Sequence, residues 1–200
     1  MLSIVTAMAL FALIGAASPG PVNIIATSTA AHFGLRASLA HVAGASLSYG
    51  AIVLIAGLAL AQLSALSERF TWLLQLAGTL FLLHLSYRIA TAEVGQTRQQ
   101  LLERAPSVWQ GVLSQSLNPK AWLVSMSGVA LFVTSSDQVA LYLTIFSALS
   151  LVICFIGVGL WALLGHALMR FLAEEARQRQ FNRTMGLLLA LSITTMYLPL

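Results

Sequence analysis

Two short proline motifs, each set in an apolar stretch, are the parts of this sequence whose residue types are suited to binding a ligand. Residues 18–21 read Ser-Pro-Gly-Pro, and residues 116–120 read Ser-Leu-Asn-Pro-Lys. Proline inside a helix removes one backbone hydrogen bond and clashes with the preceding turn, but it is favoured as the first residue of a helix. Ser18 or Gly20, and Asn118, are residue types that cap helix N-termini. Each motif therefore predicts that one helix ends and another begins within an apolar stretch.

A helix that begins in this way is suited to binding an anion. Its N-terminus carries unpaired N–H groups and a partial positive charge, which favour a carboxylate. Within lipid, the carbonyl groups freed at such a break must be buried in protein or must face a wet cavity. Tyr49, midway along another apolar stretch, either lines that cavity or packs in the core. The expected substrate-binding residues are Pro19, Gly20, Pro21, Asn23, Tyr49, Asn118, Pro119 and Lys120.

Lys120 is the one charged residue deep within an apolar stretch. If Ser107 marks the membrane surface, Lys120 lies about 20 Å deep at about 1.5 Å per helical residue. Ionisable groups at such depth are costly and usually functional. Lys120 then binds a substrate carboxylate or changes its protonation during transport. The alternative is that its long side chain reaches the surface, or caps the carbonyls at the break.

Long apolar stretches must position these residues. The 200 residues are 58% hydrophobic and 8% charged, whereas an ordinary globular chain is about a quarter charged. Six stretches hold at most one charge each, and each is at least as long as the shortest helix, about 17 residues, that spans a bilayer. They are residues 1–35, 37–67, 70–87, 105–136, 138–169 and 184–200. The composition therefore predicts an all-α membrane protein with six transmembrane helices, and it excludes a disulfide scaffold and a conventional soluble enzyme.

The positions of the basic residues predict the orientation. Loops rich in Lys and Arg stay in the cytoplasm. The first, third and fifth connections hold eight of the ten basic residues, and the second and fourth hold only Arg69. Both termini are therefore expected outside. The net charge of +4 is spread along the chain rather than clustered, which argues against a nucleic-acid partner.

The four histidines are expected at the cytoplasmic boundary. His32, His84 and His166 each precede an arginine by four residues, and His41 lies just inside the same boundary. Residues spaced by four share one helix face, so we interpret the set as an interfacial belt of side chains. No His-x-x-x-His pair and no nearby carboxylate supports a metal site. His84 is the best of the four for sensing pH.

The two proline motifs divide the chain into halves. Pro19 and Pro119 are 100 residues apart, and three spans precede the second half, which must then run in the opposite sense. This layout is typical of transporters built as 3+3 inverted repeats, in which the first helix of each half is broken at the binding site. We predict a first half over 1–91, a cytoplasmic connector over 92–106 and a second half over 107–200. The alternative is a pair of unrelated proline kinks.

These motifs resemble one family over nearly the whole chain. The residues are similar to those of the LysE/RhtB-type amino-acid exporters, and the pairing of the two proline motifs is the more specific part. The matching segments are residues 18–23, 34–36 with Gly44, 73–88, 110–121 and 181–186. The resemblance implies export of an amino acid or small derivative from a bacterial cytoplasm, across the inner membrane and driven by the proton motive force.

The sequence also departs from that family. The resemblance leads one to expect an acidic residue in the fifth helix, but residues 151–165 contain none, and Cys154 lies near the expected place. In the third helix, His84 and Ser86 stand where the family usually has an aromatic residue and glycine. These differences argue against a cationic substrate such as lysine, and they leave the group that carries the proton unidentified.

A membrane-embedded enzyme and a metal-cation exporter are the alternative functions for this chain. A membrane enzyme acting on a lipid-linked substrate needs a catalytic carboxylate pair, metal cluster or activated nucleophile, and no predicted span contains Asp or Glu. A metal-cation exporter needs oxygen or thiolate ligands, and the chain has one cysteine. No cofactor is expected. The expected partners are an amino-acid-like substrate, the proton as coupling ion, the lipid bilayer and, through small-residue helix faces, a second copy of the chain.

Overall fold

In the computed structural model, the regular secondary structure of the described residues is helical. That part comprises residues 2–17, 20–62, 76, 79–80, 83–84, 86–92, 106–134, 137–168, 171 and 174–194. Residues 86–90 are helical as well. The main helices, numbered in chain order, are α1 (Leu2–Ala17), α2 (Pro21–Phe33), α3 (Leu35–Gln62), α4 (Val108–Ser116), α5 (Pro119–Phe132), α6 (Val139–Leu168) and α7 (Glu175–Thr194).

Two of these helices are long and apolar enough to cross a membrane. They are Leu35–Ala59 within α3 and Val139–Leu168, which is α6; the number rises to three if the bent pair of α1 and α2 forms one span. α3 corresponds to the second predicted span, α6 to the fifth, and the bent pair of α1 and α2 to the first. The third predicted stretch lies mostly outside the described residues, and the sixth is described only as far as residue 194. The count of six spans stays a prediction.

The surface of the helices is suited to lipid. Large apolar side chains of α6 are about half exposed, among them Val152, Leu160 and Leu163, whereas Ser147 and Ser150 on the same helix are buried. An exposed apolar belt of this size is unusual for a soluble monomer. A membrane protein has no such restriction, because lipid tails are as apolar as leucine.

Helices begin at both proline motifs, as predicted. α1 ends at Ala17, and α2 starts at Pro21 with an axis bent by 58° from α1. α4 ends at Ser116, and α5 starts at Pro119. Of the two caps considered for α2, Gly20 is the N-cap, with an extended backbone; Asn118 is the N-cap of α5.

The broken helices pack in pairs around α3 and α6. α3 contacts α4 and α5, α6 contacts α1 and α2, and α3 and α6 contact each other. Glycines permit the closest approaches: a Cβ added to Gly44 of α3 would overlap the carbonyl oxygen of Val108, and one added to Gly165 of α6 would overlap that of Thr27. Close packing of this kind depends on small residues in membrane helices. It brings both breaks to the centre of the described helices.

Candidate functional site

The two breaks line one cavity between α1, α2, α3, α4, α5 and α6. Its volume is about 40 Å³, which exceeds the roughly 10–15 Å³ that one water molecule needs. The lining residues are Gly15, Ala16, Gly20, Val22, Asn23, Tyr49, Gln115, Asn118, Lys120, Ala121, Val124, Cys154 and Val158. The cavity is therefore large enough to be wet, and it mixes amide, hydroxyl, thiol and ammonium groups with apolar walls.

Five of the predicted substrate-binding residues meet at this cavity. They come from distant parts of the sequence and are Gly20, Asn23, Tyr49, Asn118 and Lys120. Pro21 and Pro119 are buried and begin α2 and α5, but they are not among the lining residues. Pro19 lies outside the described residues. The prolines thus determine where the helices start, and their neighbours provide the cavity surface.

At the first break, a side chain of α2 holds the end of α1. The Asn23 amide Nδ2 donates to the carbonyl oxygen of Ala16 over 2.9 Å. Gly20, the N-cap of α2, has no side chain to cap the helix, and Pro21 has no N–H. The N-terminus of α2 therefore faces the cavity region without a side-chain cap, which leaves its partial positive charge available to an anion.

At the second break, the corresponding helix start is capped. Asn118 Oδ1 accepts from the backbone N–H of Lys120 over 3.2 Å, and the N–H of Ala121 donates to the Asn118 carbonyl oxygen over 3.0 Å. The donors in the first turn of α5 are thus engaged within the helix itself. The two helix starts, which the sequence presented as equivalent, differ in how open they are to a ligand.

A chain of amide contacts continues from Asn118 to α6. Asn118 Nδ2 donates to Gln115 Oε1 over 3.3 Å, and Gln115 Nε2 lies 4.0 Å from the Sγ of Cys154. All three side chains are buried. The sequence did not single out Gln115. The available signal was its position in the last turn before the break, three residues before Asn118, where the Asn118 N–H donates to the Gln115 carbonyl oxygen over 3.1 Å.

Lys120 provides the positive charge of the cavity. Its side chain is half-buried, and it is the one charged residue among those lining the cavity. The described residues of α1 to α6 include no Asp or Glu. An ammonium in such surroundings attracts an anionic group of a ligand more strongly than it would in water, because the local dielectric constant is lower.

Each break is also held by a tryptophan. Trp122 Nε1 donates to the carbonyl oxygen of Ser116, the last residue of α4, over 2.8 Å. Trp161 Nε1, on α6, donates to that of Ala17, the last residue of α1, over 3.3 Å. An indole N–H usually finds such a partner when it is in an apolar setting. Carbonyl groups that lost their helical donors are satisfied in this way.

The prediction that all four histidines form an interfacial belt is wrong for His41. Its side chain is completely buried. His84 and His166 are exposed, and His32 is partly buried with Nδ1 2.7 Å from the carbonyl oxygen of Ser28. The reason is tertiary packing, because α2 lies beside the ring at Val22 and α4 lies against the His41 backbone at Gly111. Within the described ranges, no three His, Cys, Asp or Glu side chains come together as a metal site.

Comparison with known proteins gives one family and a set of related proteins. A family model described as LysE type translocator matches residues 13–194. Proteins named cysteine/O-acetylserine efflux protein from Escherichia coli (strain K12), Shigella flexneri serotype 5b (strain 8401) and Shigella sonnei (strain Ss046) are each 31% identical over 182 residues. Each alignment covers 90% of this chain and 89% of the relative. No solved structure matches the chain.

Proposed function

Because the chain belongs to the LysE type translocator family, we propose that it exports a small neutral amino acid, or a close derivative, across the inner membrane of a bacterium. It is a transporter and not an enzyme. The observation that carries the proposal is the single cavity at which two broken helices and Lys120 meet. Broken helices around a central site are the usual way in which transporters bind polar substrates within a membrane.

The substrate carboxylate is assigned to Lys120 and the N-terminus of α2. Lys120 supplies a full positive charge, and the N-terminus of α2 has no side-chain cap. The N-terminus of α5 contributes less, because Asn118 already caps it. The oxygens of Asn23, Tyr49 and Gln115 in the same cavity are suitable acceptors for the substrate ammonium group.

The substrate side chain is expected to be small and uncharged. The rest of the cavity wall is formed by Val124, Cys154 and Val158 and by alanine and glycine residues. A cationic side chain would meet Lys120 without a neighbouring carboxylate among the described lining residues, which is costly at low dielectric constant. Relatives named for cysteine and O-acetylserine efflux agree with this expectation, since both of those compounds have uncharged side chains.

We further propose the complete topology of six spans, arranged as 3+3 with halves at 1–91 and 107–200, a cytoplasmic connector at 92–106 and both termini outside. The packing supports it: α1 and α2 pack against α6 as α4 and α5 pack against α3. In both cases the broken first helix of one half packs against the second helix of the other half, as is expected of an inverted repeat. Coupling to the proton motive force and a homodimer remain predictions.

Transport into inside-out membrane vesicles tests the proposed function. Vesicles from cells that overproduce the chain are given radiolabelled cysteine, O-acetylserine or lysine, and wild type is compared with Lys120→Ala and the charge-preserving Lys120→Arg. We expect uptake of a neutral substrate above that of lysine. Loss of one hydrogen bond to a charged group, worth about 1.5–3 kcal/mol, raises the KM of Lys120→Ala by roughly 10- to 100-fold.

Two results would contradict this proposal in different ways. Unchanged uptake by Lys120→Ala removes Lys120 from the site but leaves the transport function standing. Wild-type vesicles that transport none of these compounds faster than vesicles without the protein overturn the assigned substrate class. Lys120→Arg separates charge from shape, because arginine keeps the positive charge and changes the geometry of the donors.

A further inference from the structure

His41 lies directly behind the cavity, where α2, α3 and α4 meet. Its side chain has no exposed surface. The backbone of Val22, a cavity-lining residue of α2, lies beside the ring. On the α4 side, a Cβ added to Gly111 would overlap the carbonyl oxygen of His41. The imidazole is therefore enclosed at a contact that holds three helices together.

The backbone of Val22 is the one hydrogen-bonding contact of the His41 ring among the described residues, and its geometry falls short of a full hydrogen bond, so at least one ring nitrogen has no partner there. A buried polar group without a partner costs roughly 1–3 kcal/mol. Native structures retain few such groups, and each requires an explanation. A purely structural role would be served better by leucine or phenylalanine, which carry no polar atoms. The incompletely satisfied imidazole therefore points to a function that needs a titratable ring.

Among the described residues, the helices packed around His41 hold no carboxylate that could stabilise a protonated ring. α3 packs against α2, α4, α5 and α6. The titratable or charged side chains of those helices and of α3 itself are Arg36, His32, Tyr49, Lys120, Tyr142, Cys154 and His166, while α4 has none. None of the seven is a carboxylate. Charging the imidazole in this closed arrangement is costly, so protonation favours a conformation in which water reaches the ring.

We propose that His41 carries the coupling proton of transport, an inference that rests on the proposed function and its proton drive. Histidine is the side chain that ordinarily changes charge between about pH 5 and 8. It is thus suited to a proton that crosses between the outside and the cytoplasm. His41 is the histidine adjacent to the cavity wall, whereas His166 is exposed.

The proton step involves no change in oxidation state. With the cavity open to the outside and the substrate released, one ring nitrogen uses its lone pair to bind a proton, and an imidazolium forms. The positive charge then opposes the dry contact of α2, α3 and α4 and favours its opening to the cytoplasm. There the same N–H bond breaks, the proton goes to water, and neutral His41 can be enclosed again once a substrate is bound.

Proteoliposomes separate proton coupling from substrate movement. Wild type, His41→Gln and the control His166→Gln are reconstituted, and radiolabelled cysteine, kept reduced, is the probe. The membrane potential is held at zero by potassium and valinomycin. If one proton leaves for each cysteine that enters, an interior more acidic by one pH unit balances an accumulation of cysteine inside the proteoliposomes of about tenfold. Exchange of labelled for unlabelled cysteine at equal pH needs no net proton movement.

We expect wild type and His166→Gln to accumulate cysteine about tenfold under this gradient. His41→Gln is expected to stay at a ratio of about one while retaining exchange at equal pH. Gradient-driven accumulation by His41→Gln overturns the role of His41. Loss of exchange by a folded His41→Gln also overturns it, because substrate movement itself would then need this side chain. Wild-type exchange without any response to the gradient overturns proton coupling, whereas wild type without any cysteine exchange contradicts the proposed function.

A spectroscopic measurement covers the case in which His41→Gln does not reconstitute. Wild-type protein labelled with ¹⁵N-histidine is titrated between about pH 5 and 8, and the other three histidine signals are assigned from His32→Gln, His84→Gln and His166→Gln. We expect the remaining signal to titrate in the absence of cysteine, and its midpoint to move to lower pH when cysteine is added, because bound substrate favours the enclosed, neutral ring. A ring that stays neutral throughout, with and without cysteine, overturns the proposal.

Discussion

The indole Nε1 of Trp122 donates to the backbone carbonyl oxygen of Ser116 over 2.8 Å, across the break that separates α4 from α5. Ser116 is the last residue of α4, so its carbonyl has no helical N–H partner. Trp161 does the same for Ala17 at the end of α1, over 3.3 Å. One indole therefore stabilises each of the two breaks that form the cavity.

Replacing either tryptophan by phenylalanine is expected to destabilise the fold. Phenylalanine keeps an aromatic ring but removes the N–H, and the loss of a hydrogen bond typically costs about 0.5–1.5 kcal/mol. The cost is expected to be larger at Ser116, where the bond is partly buried, than at Ala17, where it is exposed. Cys154 is the only cysteine of the chain and is buried, so a thiol-reactive dye reports unfolding. We expect Trp122→Phe and Trp161→Phe to label at lower temperature in a thermal ramp.

Trp109→Phe is the matched control for these variants, because Trp109 is 73% exposed and lies in α4. Its labelling temperature is expected to equal that of wild type. A Trp122→Phe protein as stable as Trp109→Phe would show that the indole N–H contributes nothing to holding the break.

Alanine at the close helix contacts is expected to disrupt packing. A Cβ at Gly44 would overlap the carbonyl oxygen of Val108, and one at Gly111 would overlap that of His41. Backbone atoms cannot move aside as side chains do, and overpacking of this kind costs about 1–3 kcal/mol. Gly44→Ala and Gly111→Ala should lower the temperature of Cys154 labelling.

Gly159→Ala tests whether helix propensity alone explains the result. A Cβ at Gly159 meets no other described atom within 4 Å. Alanine is favoured over glycine inside a helix by about 1 kcal/mol. Gly159→Ala should therefore be neutral or stabilising. Equal effects at Gly159 and Gly44 would contradict the close contact.

Removing the cap of α5 is expected to cost about 1 kcal/mol. Asn118→Ala loses the acceptor for the Lys120 N–H and the donor to Gln115. Asn118→Ser keeps an N-cap hydroxyl but not the reach to Gln115. Thermal labelling of Cys154 should find Asn118→Ser close to wild type and Asn118→Ala less stable. Equal destabilisation by both variants would mean that the contact with Gln115, rather than the cap, stabilises the break.

Substrate in the cavity is expected to protect Cys154 from small thiol reagents. Cys154 lines the cavity beside Gln115 and is 3% exposed. O-acetylserine is the substrate used here, because it has no thiol that would consume the reagent. At an O-acetylserine concentration ten times its Kd, about one-eleventh of the protein is unoccupied. Labelling by a small methanethiosulfonate should then slow roughly tenfold. A rate of Cys154 labelling that O-acetylserine does not change would mean that the substrate binds elsewhere.

Helix starts at Pro21 and Pro119 were predictable from the sequence, because their causes are local. Proline lacks the N–H that a helix interior needs, and Gly20 and Asn118 suit the N-cap. The difference between the two starts was not predictable. It depends on Asn118 turning its side chain onto Lys120 while Asn23 turns its own back to Ala16.

The members of the cavity were predictable only in part. Lys120, Asn23 and Tyr49 stood out as polar residues in apolar stretches, and all three line the cavity. Gln115 did not stand out, and Cys154 was noted only because it lies near the place where the family usually has an acidic residue. That the two side chains meet depends on the contact between α4 and α6 rather than on a motif. Trp122 and Trp161 are also common residue types in membrane helices, and their spacing alone does not reveal a carbonyl partner.

The sequence by itself determined that the chain is helical, suited to a membrane and broken at two places, because hydropathy, capping and proline act over a few residues. Tertiary structure alone decided which side chains meet. His41 shows the difference: its spacing suggested a place at the membrane surface, yet it is fully buried. The physical reason is tertiary packing: α2 lies beside the ring at Val22, and α4 lies against the His41 backbone at Gly111, where a side chain would not fit.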